Sequence, residues 1–81
     1  MFKARTADGR NNIAGLKIKE LRKGLRISQR ELADRLQVIK LDVDKNAIQR
    51  IESGERFVTD IEITALAKCF GVTVNELLGT E

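Results

Sequence analysis

Proline, histidine, tryptophan and tyrosine are absent from this chain, and cysteine occurs once, at Cys69. One thiol closes no intramolecular disulfide, and a thiol without an imidazole offers no zinc-type ligand set, so neither kind of staple is expected. The missing imidazole also removes the commonest general base. No glycine-rich phosphate cradle, metal-ligand cluster or nucleophile beside a base takes its place, so no enzyme, metal site or cofactor is expected. No apolar run reaches the roughly 18 residues of a spanning helix, and no stretch has the pattern of a secretory signal. With the lone thiol, this points to a cytoplasmic protein with no membrane partner.

What remains is rich in Ala, Leu, Ile, Val, Lys, Arg, Glu and Asp, with only 3 Phe, a balance that favours helices over a twisted sheet. The fold class expected is all-α. With 81 residues the chain suits one small domain whose stability must come from well-capped, well-packed helices. Residues 1–10, which carry Lys3, Arg5 and Arg10, are expected to form a flexible basic arm, and 11–81 the folded domain. Charge is unevenly spread: residues 1–56 hold 14 Lys and Arg against 8 Asp and Glu, whereas 57–81 hold 1 against 4. A basic end of this kind suits a polyanion, although a membrane surface or an acidic protein would also satisfy it.

The helices are punctuated clearly. Ser28-Gln29-Arg30-Glu31, Thr59-Asp60-Ile61-Glu62 and Thr73-Val74-Asn75-Glu76 each read as a capping box, and Asp44 can cap a helix over residues 45–53. Gly54, Gly71 and Gly79 stand where helices would close in the left-handed conformation. A first helix is expected at roughly Asn12 to Leu25, from the apolar stripe Ala14, Ile18, Leu21 and Leu25. Core positions then follow at Leu32, Ala33 and Leu36, at Ile63, Leu66, Ala67 and Phe70, and at Val74, Leu77 and Leu78. Between Gln37 and Val43 the apolar residues fit either a longer second helix or an anchored turn; helix to about Ile39 and then turn is expected.

The segment after Asp44 has two distinct faces. At about 100° per residue, counting from Lys45, Gln49 falls near 40°, Ser53 near 80°, Asn46 near 100° and Arg50 near 140°. Ala47, Ile51 and Ile48 fall near 200°, 240° and 300°. A basic and amide face therefore lies opposite an isoleucine face. Lys and Arg can donate to guanine O6 and N7, and Asn and Gln can pair with adenine N6 and N7. Residue types alone leave this face open to a second description, a solvated surface stripe.

An ordered set of residues narrows the choice. Leu21-Arg22, then Ile27-Ser28-Gln29, Glu31-Leu32-Ala33 and Leu36, then Ile48, Arg50-Ile51-Glu52 and Gly54, then Leu66-Ala67, Gly71-Val72 and Glu76-Leu77-Leu78 together resemble the Cro and phage-repressor type of helix-turn-helix domain, the XRE family. The resemblance covers about three quarters of the chain. It implies a five-helix domain binding double-stranded DNA in transcription regulation, most often as a repressor, with the helix at about 45–53 in the major groove. Lys45, Asn46 and Arg50 match the base-reading positions, with Gln49 beside them. Gln29, with Ser28 capping nearby, matches a phosphate contact, though simple capping would also account for Ser28. Arg56 is a candidate phosphate contact or a surface charge. Arg22 and Glu52 match an ion pair between the first and third helices, a structural role.

One departure stands out. In family members the positions matching Leu36 and Ile48 are usually about seven apart, whereas here they are twelve apart, so the turn has gained roughly five residues. Lys40 and Lys45 could then flank phosphates on either side of it. A single small head needs a second copy to secure affinity, so a homodimer on a palindromic operator is expected, with the apolar and acidic last two helices as the contact between copies. The rival reading is a protein-interaction module, such as the DNA-binding antitoxin of a toxin-antitoxin pair.

Overall fold

The computed structural model describes residues 6, 7 and 9–79, and among these it holds five helices and no strand. They are α1 (Gly15–Gly24), α2 (Gln29–Val38), α3 (Lys45–Ser53), α4 (Asp60–Phe70) and α5 (Val74–Leu78). The expected all-α, five-helix architecture is the one observed. Most of the arm expected over 1–10 lies outside the described residues.

Starts follow local chemistry. Ser28, Asp44, Thr59 and Thr73 adopt extended backbone, and their side-chain oxygens accept from the third amide of the helix that follows. Thr59 and Thr73 form complete capping boxes with Glu62 and Glu76. The box expected at Ser28 is only half formed. Glu31 donates its amide to Ser28 Oγ, but its carboxylate pairs with Arg35 one turn on, at 3.1 Å, instead of returning to the cap.

The first helix begins later than its apolar stripe suggests, at Gly15 rather than Asn12. Asn12 is buried, and its Oδ1 accepts from Gly15 N at 2.7 Å while its amide group turns away toward α3. That sideways commitment keeps Asn12 out of the helix. Leu25, assigned to the stripe, is half exposed because α1 has already ended at Gly24.

Ends are closed in one manner. Gly54, Gly71 and Gly79 take φ of 87°, 70° and 70°, as their positions led one to expect. At the ends of α1 and α2 the same left-handed residue is not glycine but Arg26 (φ 58°) and Lys40 (φ 65°). In each case the amides of that residue and the next reach back: Arg26 N to Lys23 O and Ile27 N to Arg22 O, Lys40 N to Gln37 O and Leu41 N to Leu36 O. These are Schellman closures, and each feeds an apolar residue, Ile27 or Leu41, back against the core. The lengthened connection is therefore an anchored turn. Val43 is 3 % exposed and Leu41 packs on the core, so Ile39 to Asp44 is pinned at both ends.

Ile18, Leu32, Leu36, Ile48, Leu66 and Leu77 are the largest fully buried side chains. They come from all five helices and make one core in which α3 packs against both α1 and α2. Burying Ile48 and Ile51 contributes about 1.5–3 kcal/mol each, which turns this side of α3 inward.

Gly15 is buried where α1 meets the end of α3, and a Cβ there would lie on the Ile51 carbonyl oxygen. Gly15→Ala ordinarily favours a helix by about 0.5–1 kcal/mol. Here the sign should reverse to a loss of about 1–3 kcal/mol, read from the urea midpoint. Lys40→Gly should do the opposite, raising stability by about 0.5–1 kcal/mol by relieving a left-handed residue that carries a Cβ.

Candidate nucleic-acid interface

The face of α3 that carries Lys45, Asn46, Gln49, Arg50 and Ser53 is exposed along its whole length, while Ile48, Ile51 and Glu52 are buried behind it. No part of the described chain covers it. Asn46, Gln49, Arg50, Ser53 and Glu55 line a shallow polar groove of about 360 Å3. The groove brings together three of the four residues expected to read bases, and Lys45 shares their exposed face outside its lining. The groove adds Glu55, an exposed carboxylate that sequence reasoning missed although it directly follows the predicted stop at Gly54. Among the described residues Lys40, Lys45 and Arg50 form no ion pair, so their charge is available to an outside anion.

The buried shoulder of α3 is polar in one place. Glu52 is 5 % exposed, too deep for an uncompensated carboxylate. Arg22 meets it with two hydrogen bonds, Nε to Oε2 at 2.7 Å and Nη2 to Oε1 at 3.1 Å, and uses Nη1 to donate to Ile27 O. The hydrogen bond to Glu52 pushes the Arg22 pKa up, against the opposing effect of burial. Gln29 completes the arrangement, donating from Nε2 to Glu52 Oε1 at 3.1 Å. One carboxylate therefore ties α1, α2 and α3 together.

This places Gln29 in two settings. Its side-chain amide is taken up inside by Glu52, while its backbone opens α2 just after the exposed Ser28, where the first amides have no intrahelical acceptor. Arg56, expected as a phosphate contact or a surface charge, is engaged within the domain. Its guanidinium is held bidentately by Glu62, at 2.9 and 2.8 Å, and also donates to Phe57 O. The charge is spent fastening the exit of α3 to the first turn of α4. Arg56 is raised in pKa, and the Glu62 carboxyl lies below its usual range, chiefly through the hydrogen bond from Arg56 and then through the Thr59 amide.

Sequence reasoning also missed the segment before α1. Arg10 and Asn11 and the buried Asn12 all hydrogen-bond to carbonyls at the end of α3, across about forty residues of sequence, a separation no local pattern reveals. Arg10, the last residue of the expected arm, is thereby seated on the domain.

The family model described as Helix-turn-helix matches residues 18–77. That span runs from within α1 to α5 and includes every side chain of the exposed α3 face. Among curated proteins none matches the chain.

Glu52→Ala should cost about 3–5 kcal/mol in chemical denaturation by stranding Arg22, and the double variant with Arg22→Met should cost less than the two singles together. For Glu62 the sign follows from a folded-state pKa held below the unfolded one. Its contribution is complete at neutral pH and is lost as pH falls from the ordinary carboxylate range through the folded value. Glu62→Gln should flatten the acid limb of a stability-against-pH curve and leave the neutral-to-alkaline limb unchanged in shape.

Proposed function

Because the chain belongs to the Cro and phage-repressor type of helix-turn-helix family, whose members bind DNA as transcription regulators, we propose that it is a sequence-specific repressor that reads the major groove with α3. The observation that carries this reading is the exposed face of Lys45, Asn46, Gln49 and Arg50, backed by two buried isoleucines and a buried ion pair. Lys45 and Arg50 are equipped for guanine, and Asn46 and Gln49 for adenine. Glu55 can accept from cytosine N4 and repels a misplaced phosphate.

Phosphates position the domain. Under this reading the opening turn of α2, with Ser28 and the Gln29 backbone, meets one strand, and the extended turn brings Lys40 toward the other. Arg56 is better placed to hold α4 than to meet DNA, being already paired with Glu62. A homodimer on a palindrome supplies the affinity that one small head lacks, and exposed Phe57 and Ile61, next to and within α4, suit a contact between copies. A cytoplasmic location accords with it. The protein-partner alternative draws on the same exposed apolar side chains, with Ile13 and the cavity of about 370 Å3 bordered by Ile13, Val58, Ile63 and Leu78. A stoichiometric protein that co-purifies would favour it.

Selection from a random duplex pool at stated salt should return a palindrome with half-sites about one helical turn apart. Lys45→Ala and Arg50→Ala should each relax preference at particular base pairs by about 1–3 kcal/mol. Lys40→Ala should weaken all sequences alike and reduce the salt slope by about one. Recovery of no preferred sequence would remove the reading.

A further inference from the structure

The last carbonyls of a helix have no intrahelical donor and must be satisfied from elsewhere. At the end of α3 and in the turn after it, six consecutive carbonyls, from Ile51 to Arg56, are met by three consecutive residues from the segment before α1. Arg10 Nη2 donates to Glu52 O at 2.7 Å and more distantly to Ile51 O at 3.5 Å, and Nη1 to Ser53 O at 3.3 Å. Asn11 donates its backbone amide to Gly54 O at 2.8 Å and its Nδ2 to Glu55 O at 2.9 Å. Asn12 Nδ2 donates to Ile51 O at 3.0 Å and Arg56 O at 2.8 Å.

The seat is shaped for this strap. Gly54 has no Cβ to collide with the Arg10 side chain, which would otherwise lie 2.8 Å away at Cζ, and the bare face of Gly15 admits the Ile51 carbonyl. Thr6 closes the strap on its far side, accepting from Arg10 N at its Oγ1 and donating its own amide to Arg10 O. Arg10 also puts a positive charge at the negative end of the α3 dipole. All of these strap residues precede the span shared with the family, which begins at residue 18.

We infer that Arg10, Asn11 and Asn12 are positioning residues for DNA reading, a clamp that fixes the axial placement and tilt of α3. The inference rests on the proposed role of α3 in the groove. That helix has only nine residues, anchored on one side by Ile48, Ile51 and Glu52, and all its reading side chains stand on the other. Its N-terminal end is delivered by the anchored turn through buried Val43, and beside the Glu52 bonds the clamp is the second hold on its C-terminal end. Binding energy is lost steeply when recognition groups are misplaced by even about 1 Å.

The test compares the selected duplex with a scrambled duplex of equal length over a range of salt, using full-length wild type, Arg10→Ala, Arg10→Lys and Asn11→Ala, each checked for folding by circular dichroism. Amide exchange at the last turn of α3 is followed in parallel. Arg10→Ala should lower affinity for the selected duplex by about five- to thirty-fold, the equivalent of 1–2 kcal/mol, while affinity for the scrambled duplex and the salt slope stay as in wild type. Exchange at the end of α3 should quicken, Arg10→Lys should recover part of the loss, and Asn11→Ala should shift specificity the same way by less. If Arg10→Ala does not fold, Asn11→Ala alone decides. A folded variant with the wild-type ratio of selected to scrambled affinity overturns the clamp, as does an equal loss on both duplexes with a salt slope reduced by one, which marks a phosphate contact. A wild type with no preference between the duplexes overturns the groove-reading role itself, and the clamp with it.

Discussion

A carboxylate with almost no access to water must be answered by the protein, and in this domain the answer organises everything around it. Glu52 lies on the buried side of α3, and the groups that satisfy it come from α1, through Arg22, and from the start of α2, through Gln29. Isoleucine burial sets which side of α3 faces inward, but apolar contacts tolerate sliding and rolling. Directional bonds from two other helices to one carboxylate do not. The pair need not make the domain more stable than a well-packed apolar triad would. What it supplies is a single relation among three helices, and that relation is what a surface reading a rigid duplex requires.

The remaining devices act on the same helix. Asp44 caps its beginning, the anchored turn from Ile39 to Asp44 delivers it, the strap of Arg10 to Asn12 receives its end, and the Arg56–Glu62 pair fastens its exit to α4. An extended helix-turn-helix connection could have loosened the domain. It does not, because Leu41 and Val43 re-enter the core on either side of Asp42, so the added residues form a fixed projection. The price is a left-handed lysine, a modest local strain.

How much of this was legible in the sequence depends on range. The helix starts at Asp44, Thr59 and Thr73 and the stops at Gly54, Gly71 and Gly79 are written in residues next to one another, and they stand where that logic placed them. The outward face of α3 followed from periodicity alone. The Arg22–Glu52 contact was expected from the resemblance, not from spacing. Less legible was what depends on competition between partners. Glu31 had a choice between the Ser28 amide and Arg35, and Arg56 between solvent and Glu62, and only the folded geometry settles either. Least legible was the strap, since nothing near Asn12 in sequence announces that its amide meets Ile51 and Arg56. The ends of α1 and α2 fell close to the expected Leu25 and Ile39, but the left-handed closure by Arg26 and Lys40 was not legible, since neither is glycine.

Under the proposed function α3 presents its basic and amide side to a duplex while α1, α2 and the strap before α1 hold it from behind. The most direct measurement is a titration of isotope-labelled protein with a bound-sequence duplex, followed through backbone and side-chain amide shifts. The largest changes should fall on Lys45, Asn46, Gln49 and Arg50 and on the first turn of α2, with the core signals of Ile18, Leu66 and Leu77 still. Changes confined to α4 and α5, with the α3 face unmoved at saturation, would contradict it.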